Sequence, residues 1–115
     1  MPEYVIFFNE EWVPEFSEEE LRGKSAVLRP LLDEMRSAGA LVFTGGLDDS
    51  PPFSVDPSGG EPVFSDGPYT ETKEHLGGFA VVDVPDEDAA RHWAGRIAVA
   101  CGWPQQVNRF QRPRG

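Results

Sequence analysis

Short apolar runs alternate along the chain with longer stretches in which apolar residues recur at helical spacing. Tyr4-Val5-Ile6-Phe7-Phe8 is unbroken and rich in β-branched and aromatic side chains, so it reads as a strand apolar on both faces. Asn9 to Glu15 is a polar loop. Phe16-Ser17-Glu18-Glu19-Glu20-Leu21 carries the marks of a helix start. Ser17 can cap, Glu20 completes a capping box, and Phe16 is placed to staple onto Leu21. Leu21, Leu28, Leu31, Leu32 and Met35 share one helical face. Pro30 removes a backbone donor and disfavours helical geometry at Arg29, which predicts a kink or break there. Gly39 suits the C′ position that ends a helix.

Ala40-Leu41-Val42-Phe43-Thr44 is the second strand, stopped by Gly45-Gly46. Residues 47 to 61 are dense in Pro, Asp, Ser and Gly, and within and after them Phe53-Ser54-Val55 can pair with Pro62-Val63-Phe64-Ser65 as a peripheral hairpin. Phe79 to Val84 is the third main strand. Pro85-Asp86-Glu87-Asp88 starts a second helix with acidic residues at the favourable end of the dipole. In that helix Ala90, Trp93, Ala94, Ile97 and Cys101 fall inward, and Gly102 ends it. Gln105 to Phe110 is a less apolar final strand. With the hairpin treated as an insertion, the order is β-α-β-β-α-β, a ferredoxin-like α+β fold with both helices on one face of a four-stranded antiparallel sheet. The other face of Tyr4–Phe8 and Phe79–Val84 is apolar too, and a single chain leaves it uncovered. The expectation is a homodimer formed through that face.

Length and charge narrow the function. The 115 residues fit a single domain, 1–115. Ten basic against twenty acidic residues give a net charge of −10, which argues against binding nucleic acid through its phosphates. A single cysteine, Cys101, forms no intramolecular disulfide and has no second thiol for a zinc or redox site. Met1-Pro2-Glu3 lacks basic charge and Tyr4–Phe8 is too short for a signal-peptide core or a membrane span. A cytoplasmic protein is expected, with no membrane contact.

The segment Ser65-Asp66-Gly67-Pro68-Tyr69, followed by Glu71-Thr72-Lys73-Glu74 and Gly77-Gly78-Phe79, holds the candidate chemistry. It resembles the YCII-related family, in the branch named for an Asp-Gly-Pro-Phe (DGPF) motif. Leu32-Asp33-Glu34-Met35-Arg36-Ser37-Ala38-Gly39, Val82-Asp83-Val84-Pro85-Asp86 and His92-Trp93-Ala94 resemble the same branch, so the likeness covers nearly the whole chain. It implies a dimeric α+β barrel, two ferredoxin-like sheets facing each other around a cavity. In better-studied relatives a His and an Asp are proposed as an active pair, and a few act on small cyclic or halogenated organic molecules. Members of the branch are often encoded beside alternative sigma factors. Here Asp66 matches the motif's acid, Tyr69 replaces its Phe, and Leu28 stands near the position of the expected histidine.

Each candidate has two readings. Asp66 could be a general base if burial raised its pKa. An Asp before Gly-Pro equally suits a turn or cap that accepts backbone N–H bonds. Tyr69, Lys73 and His75 are the candidate substrate contacts, and a solvated charged face explains Lys73 as well. His75 and His92 have no partner at metal-ligand spacing, so no metal is implied, and no cofactor. Gly77-Gly78 lacks the spacing of a nucleotide loop and reads as a bulge or a close backbone approach. Three functions remain open: a cofactor-independent enzyme on small cyclic compounds with Asp66 as its acid or base, a ligand-binding or regulatory module, and a protein-interaction partner in a sigma-factor pathway.

Overall fold

The computed structural model describes residues 2–9, 16–48, 50, 52–67 and 76–111. Among them are two helices and six strands: β1 Glu3–Asn9, α1 Glu18–Ser37, β2 Leu41–Gly46, β3 Phe53–Asp56, β4 Val63–Asp66, β5 Leu76–Asp83, α2 Glu87–Cys101 and β6 Gln106–Arg109. The main sheet has the order β2-β5-β1-β6 and every pairing in it is antiparallel. With β3 and β4 set aside as a separate two-stranded sheet, this α+β arrangement is consistent with the ferredoxin-like one.

Local chemistry accounts for the element ends. Ser17 accepts from the Glu20 N–H and the Glu20 carboxylate accepts from the Ser17 N–H, so the capping box is closed at the head of α1. Gly39 follows the Ala38 cap at φ 73°, the left-handed geometry that favours glycine. Asp86 accepts from the Ala89 N–H at 2.8 Å, and Gly102 ends α2 at φ 84°.

Three local expectations give way to their surroundings. Of the kink or break expected at Pro30, the break is absent, since α1 runs through it as one helix. Pro30 and Ala26, whose carbonyl loses its partner, are both exposed, so water can satisfy the freed oxygen. Phe16 lies against Trp103, ring centroids 6.1 Å apart, with the Lys24 ammonium 4.5 Å from its own centroid, while Leu21 is exposed. The aromatic ring is thus engaged by tertiary packing with Trp103 and Lys24. β2 continues through Gly45 and Gly46, because both pair with β5.

Alternation along the strands sorts the sheet into two faces. Tyr4, Ile6, Ala80 and Val82 point toward the helices and join Leu31, Met35, Ala90, Ala94, Ile97 and Cys101 in one core. Leu28, Leu32 and Trp93 pack at its margin. On the opposite face Val5 pairs with Val81, Phe7 with Phe79, and Phe43 with Val81. The Phe43 and Phe79 rings meet at 5.9 Å, and Phe43 remains 58% exposed. Both readings of Gly77-Gly78 hold. The β1–β5 register shifts between Phe8 and Asn9, opposite Gly78 and Leu76, which leaves Gly77 as the extra residue. Gly78 is packed so closely that an added Cβ would lie 2.7 Å from the Gly45 carbonyl oxygen.

Candidate functional site

Asp66 is the last residue of β4, and the hairpin register decides its surroundings. Phe53 pairs with Asp66 and Val55 with Phe64. Directly paired residues project to the same side, so Phe53, Val55, Phe64 and Asp66 share one face of the hairpin. The Phe53 and Phe64 rings lie 6.2 Å apart and are 70% and 65% exposed. Asp66 is exposed beside them. Gly67 turns the chain at φ 89°, its N–H donating to the Pro52 carbonyl at 2.8 Å. The Ser54 hydroxyl donates to the Gly67 carbonyl from the other face. The corner that the motif suggested is therefore built by Gly67 and Ser54. Tyr69, Lys73 and His75 lie outside the described residues.

This setting limits what Asp66 can do in one chain. A carboxylate becomes an efficient base near neutral pH when burial or a like charge destabilises its ionised form. Asp66 is exposed and lacks the burial. An acid beside two aromatic rings can instead accept a hydrogen bond from a ligand whose apolar body rests on the rings.

The helix layer holds charged groups that sequence reasoning did not bring together. A groove of about 990 Å³ runs between α1 and α2, with Lys24, Glu34, His92 and Arg96 along it and Val27 and Val99 exposed at its sides. Arg96 donates to both oxygens of Glu34, at 2.8 and 2.7 Å. It also lies 5.3 Å from the Trp93 ring centroid. The hydrogen bonds from Arg96 hold the Glu34 carboxyl below its ordinary value against partial desolvation, and the positive charge of Arg96 acts in the same direction. His92 is exposed and meets Trp93 edge-on at 4.9 Å. The sequence signal for this pairing is absent, since the partners are 62 positions apart.

A smaller cavity of about 490 Å³ opens between β1, β6 and the start of α2, against Tyr4, Val107, Arg109 and Arg91. Among the described residues no group of three or more His, Cys, Asp or Glu side chains is placed to hold a metal ion. No helix among them is long and apolar enough to cross a membrane.

Against known families, the model of the YCII-related domain matches residues 4–101. No curated protein matches the sequence at a significant level.

Proposed function

Because this chain belongs to the YCII-related family, we propose that it works as a homodimer that binds a small cyclic organic molecule, with Asp66 as the polar contact. The uncovered face of the main sheet carries this reading. On the side away from the helices Phe43 is 58% exposed and Phe7, Phe79 and Val81 are part-exposed around a buried Val5. A second copy stacked through the same face would remove it from water and complete a dimeric α+β barrel. The motif from Asp66 to Glu74 supports placement in the DGPF-type branch, for which a cavity between facing sheets is implied. Phe53 and Phe64 supply an aromatic surface next to Asp66. Tyr69, Lys73 and His75, close behind it in sequence, are its proposed companions, and Lys73 suits an anionic substituent. The reading places the protein in the cytoplasm and calls for no cofactor.

Binding is the stronger half of this reading. Turnover through Asp66 needs the partner copy to bury the carboxylate, since the single chain leaves it exposed. Leu28 near the place of the expected histidine also leaves the His–Asp pair incomplete.

Two measurements test the two parts separately. Light-scattering chromatography at micromolar concentration should give twice the chain mass, and Val81→Glu should give the chain mass. A monomeric parent protein removes the dimer. Thermal-shift screening of γ-lactones and chlorinated phenols should yield stabilising compounds whose effect weakens in Asp66→Asn. An undiminished shift in that variant takes Asp66 out of the site.

A further inference from the structure

We infer that the cavity between β1, β6 and the start of α2 is a binding site for a small organic monocarboxylate, separate from Asp66 and independent of the reading above. Tyr4 faces the helix side of the sheet and is only 5% exposed, yet it lines this cavity. Among the described residues its hydroxyl has no hydrogen-bond partner. That O–H is not one of the buried polar atoms left unpaired, and it can donate to a ligand that enters the cavity.

Arg109 is the residue paired with Tyr4 across the β1–β6 ladder, so its side chain rises from the same face of the sheet. Among the described residues it has no acidic partner. Arg91 lines the opposite wall but is engaged with Glu87, which also lines the cavity, at 3.1 Å. The wall therefore carries two arginines and one carboxylate in a chain whose net charge is −10. Arg91 is paired with Glu87, which leaves Arg109 as the lining cation without an acidic partner among the described residues, and one guanidinium fits one carboxylate better than a phosphate dianion.

Ala90 and Val107 form the apolar part of the lining. The volume of about 490 Å³ lies within the range of small-molecule sites. The arrangement suits a carboxylate held by the Arg109 guanidinium and the Tyr4 O–H, with a compact ring or short chain resting on Ala90 and Val107.

Benzoate and its neutral isostere benzamide are the probes, titrated into the full chain and followed by calorimetry and by backbone amide shifts. Benzoate should saturate at millimolar concentration or below and move the amides of Ala90 and Val107, while benzamide should not. Arg109→Gln and Tyr4→Phe should each weaken benzoate about tenfold, Arg109→Lys less, and Asp66→Asn not at all. Tyr4→Phe removes one oxygen and should keep the unliganded melting temperature, so the test stands even where an Arg109 variant folds poorly. Absence of saturable benzoate binding, equal binding of benzamide, or benzoate affinity unchanged in both Arg109→Gln and Tyr4→Phe overturns the assignment. Loss of benzoate in Asp66→Asn would move the ligand to the hairpin and also overturn it.

Discussion

Arg96 of α2 reaches across the helix layer and holds both oxygens of Glu34 of α1, at 2.8 and 2.7 Å. The planar guanidinium matches the carboxylate in two parallel bonds, and its contact with Trp93 fixes the plane from which it donates. Both side chains remain open to solvent, about half exposed. The pair thus aligns the helices more than it stabilises them, because water and salt screen it.

Acid should dissolve this link. Arg96 lowers the Glu34 pKa from its ordinary value of 4.5. A carboxyl depressed on folding contributes stability that is present above the unfolded value and is lost as pH falls through the folded one. Arg96→Gln should therefore lower the melting temperature by a few degrees at most at pH 7 and low salt. The difference from the parent protein should shrink below pH 4.5 and in about 1 M salt. A difference that persists in acid would mean that Arg96 acts through its packing on Trp93.

Cys101 should be unreactive in the folded protein. It is 3% exposed at the end of α2, and burial pushes its thiol above the ordinary value of 9.0, with the nearby Lys24 charge opposing. The thiolate is the reactive form, so both access and ionisation are disfavoured. Labelling by an aromatic disulfide reagent at pH 8 should be slow in native buffer and accelerate with denaturant, as opening becomes more frequent. A rapid stoichiometric reaction without denaturant would show that α2 frays at its end.

The second helix depends on its cap. The Asp86 carboxylate satisfies the Ala89 N–H at 2.8 Å, one of the donors that a helix start leaves without a backbone partner. Asp86→Ala should cost about 1 kcal/mol in urea denaturation, and Asp86→Asn much less. Equal losses in both variants would assign the effect to charge instead of the hydrogen bond.

What could be read from the residues depended on how local its cause was. The Ser17–Glu20 box, the acidic start of α2 and the Gly39 and Gly102 stops involve groups within four positions of one another, and each is found as expected. The strand runs at Tyr4–Phe8 and Phe79–Val84 were legible because β-branched and aromatic residues fill them. Pro30 does not break α1, and the carbonyl it frees lies, like Pro30 itself, on an exposed part of the helix. Phe16 misled because its partner, Trp103, comes from the far end of the chain. The candidate site was legible as a motif but not as an environment. That Asp66 would stand beside Phe53 and Phe64 follows from hairpin register, the Tyr4–Arg109 pair follows from the β1–β6 register, and the Glu34–Arg96 pair follows from helix packing.

Two glycines of the same residue type should respond oppositely to alanine. At Gly78 a Cβ would lie 2.7 Å from the Gly45 carbonyl oxygen, 2.9 Å from the Gly46 Cα and 3.2 Å from the Phe8 ring. The first two are backbone atoms of the neighbouring strand, so relief requires β2 and β5 to separate at the bulged end of the sheet. Gly78→Ala should cost about 1–3 kcal/mol, in the range of overpacking substitutions. At Gly95, within α2, a Cβ would meet nothing within 4 Å and would project toward the helix groove. There the only change is helix propensity, and Gly95→Ala should gain roughly 0.8–1 kcal/mol. Urea denaturation of the two variants beside the parent protein checks both signs. A stabilised Gly78→Ala would show that β2 can move away without loss, and a destabilised Gly95→Ala would show that the groove wall needs the space that glycine leaves.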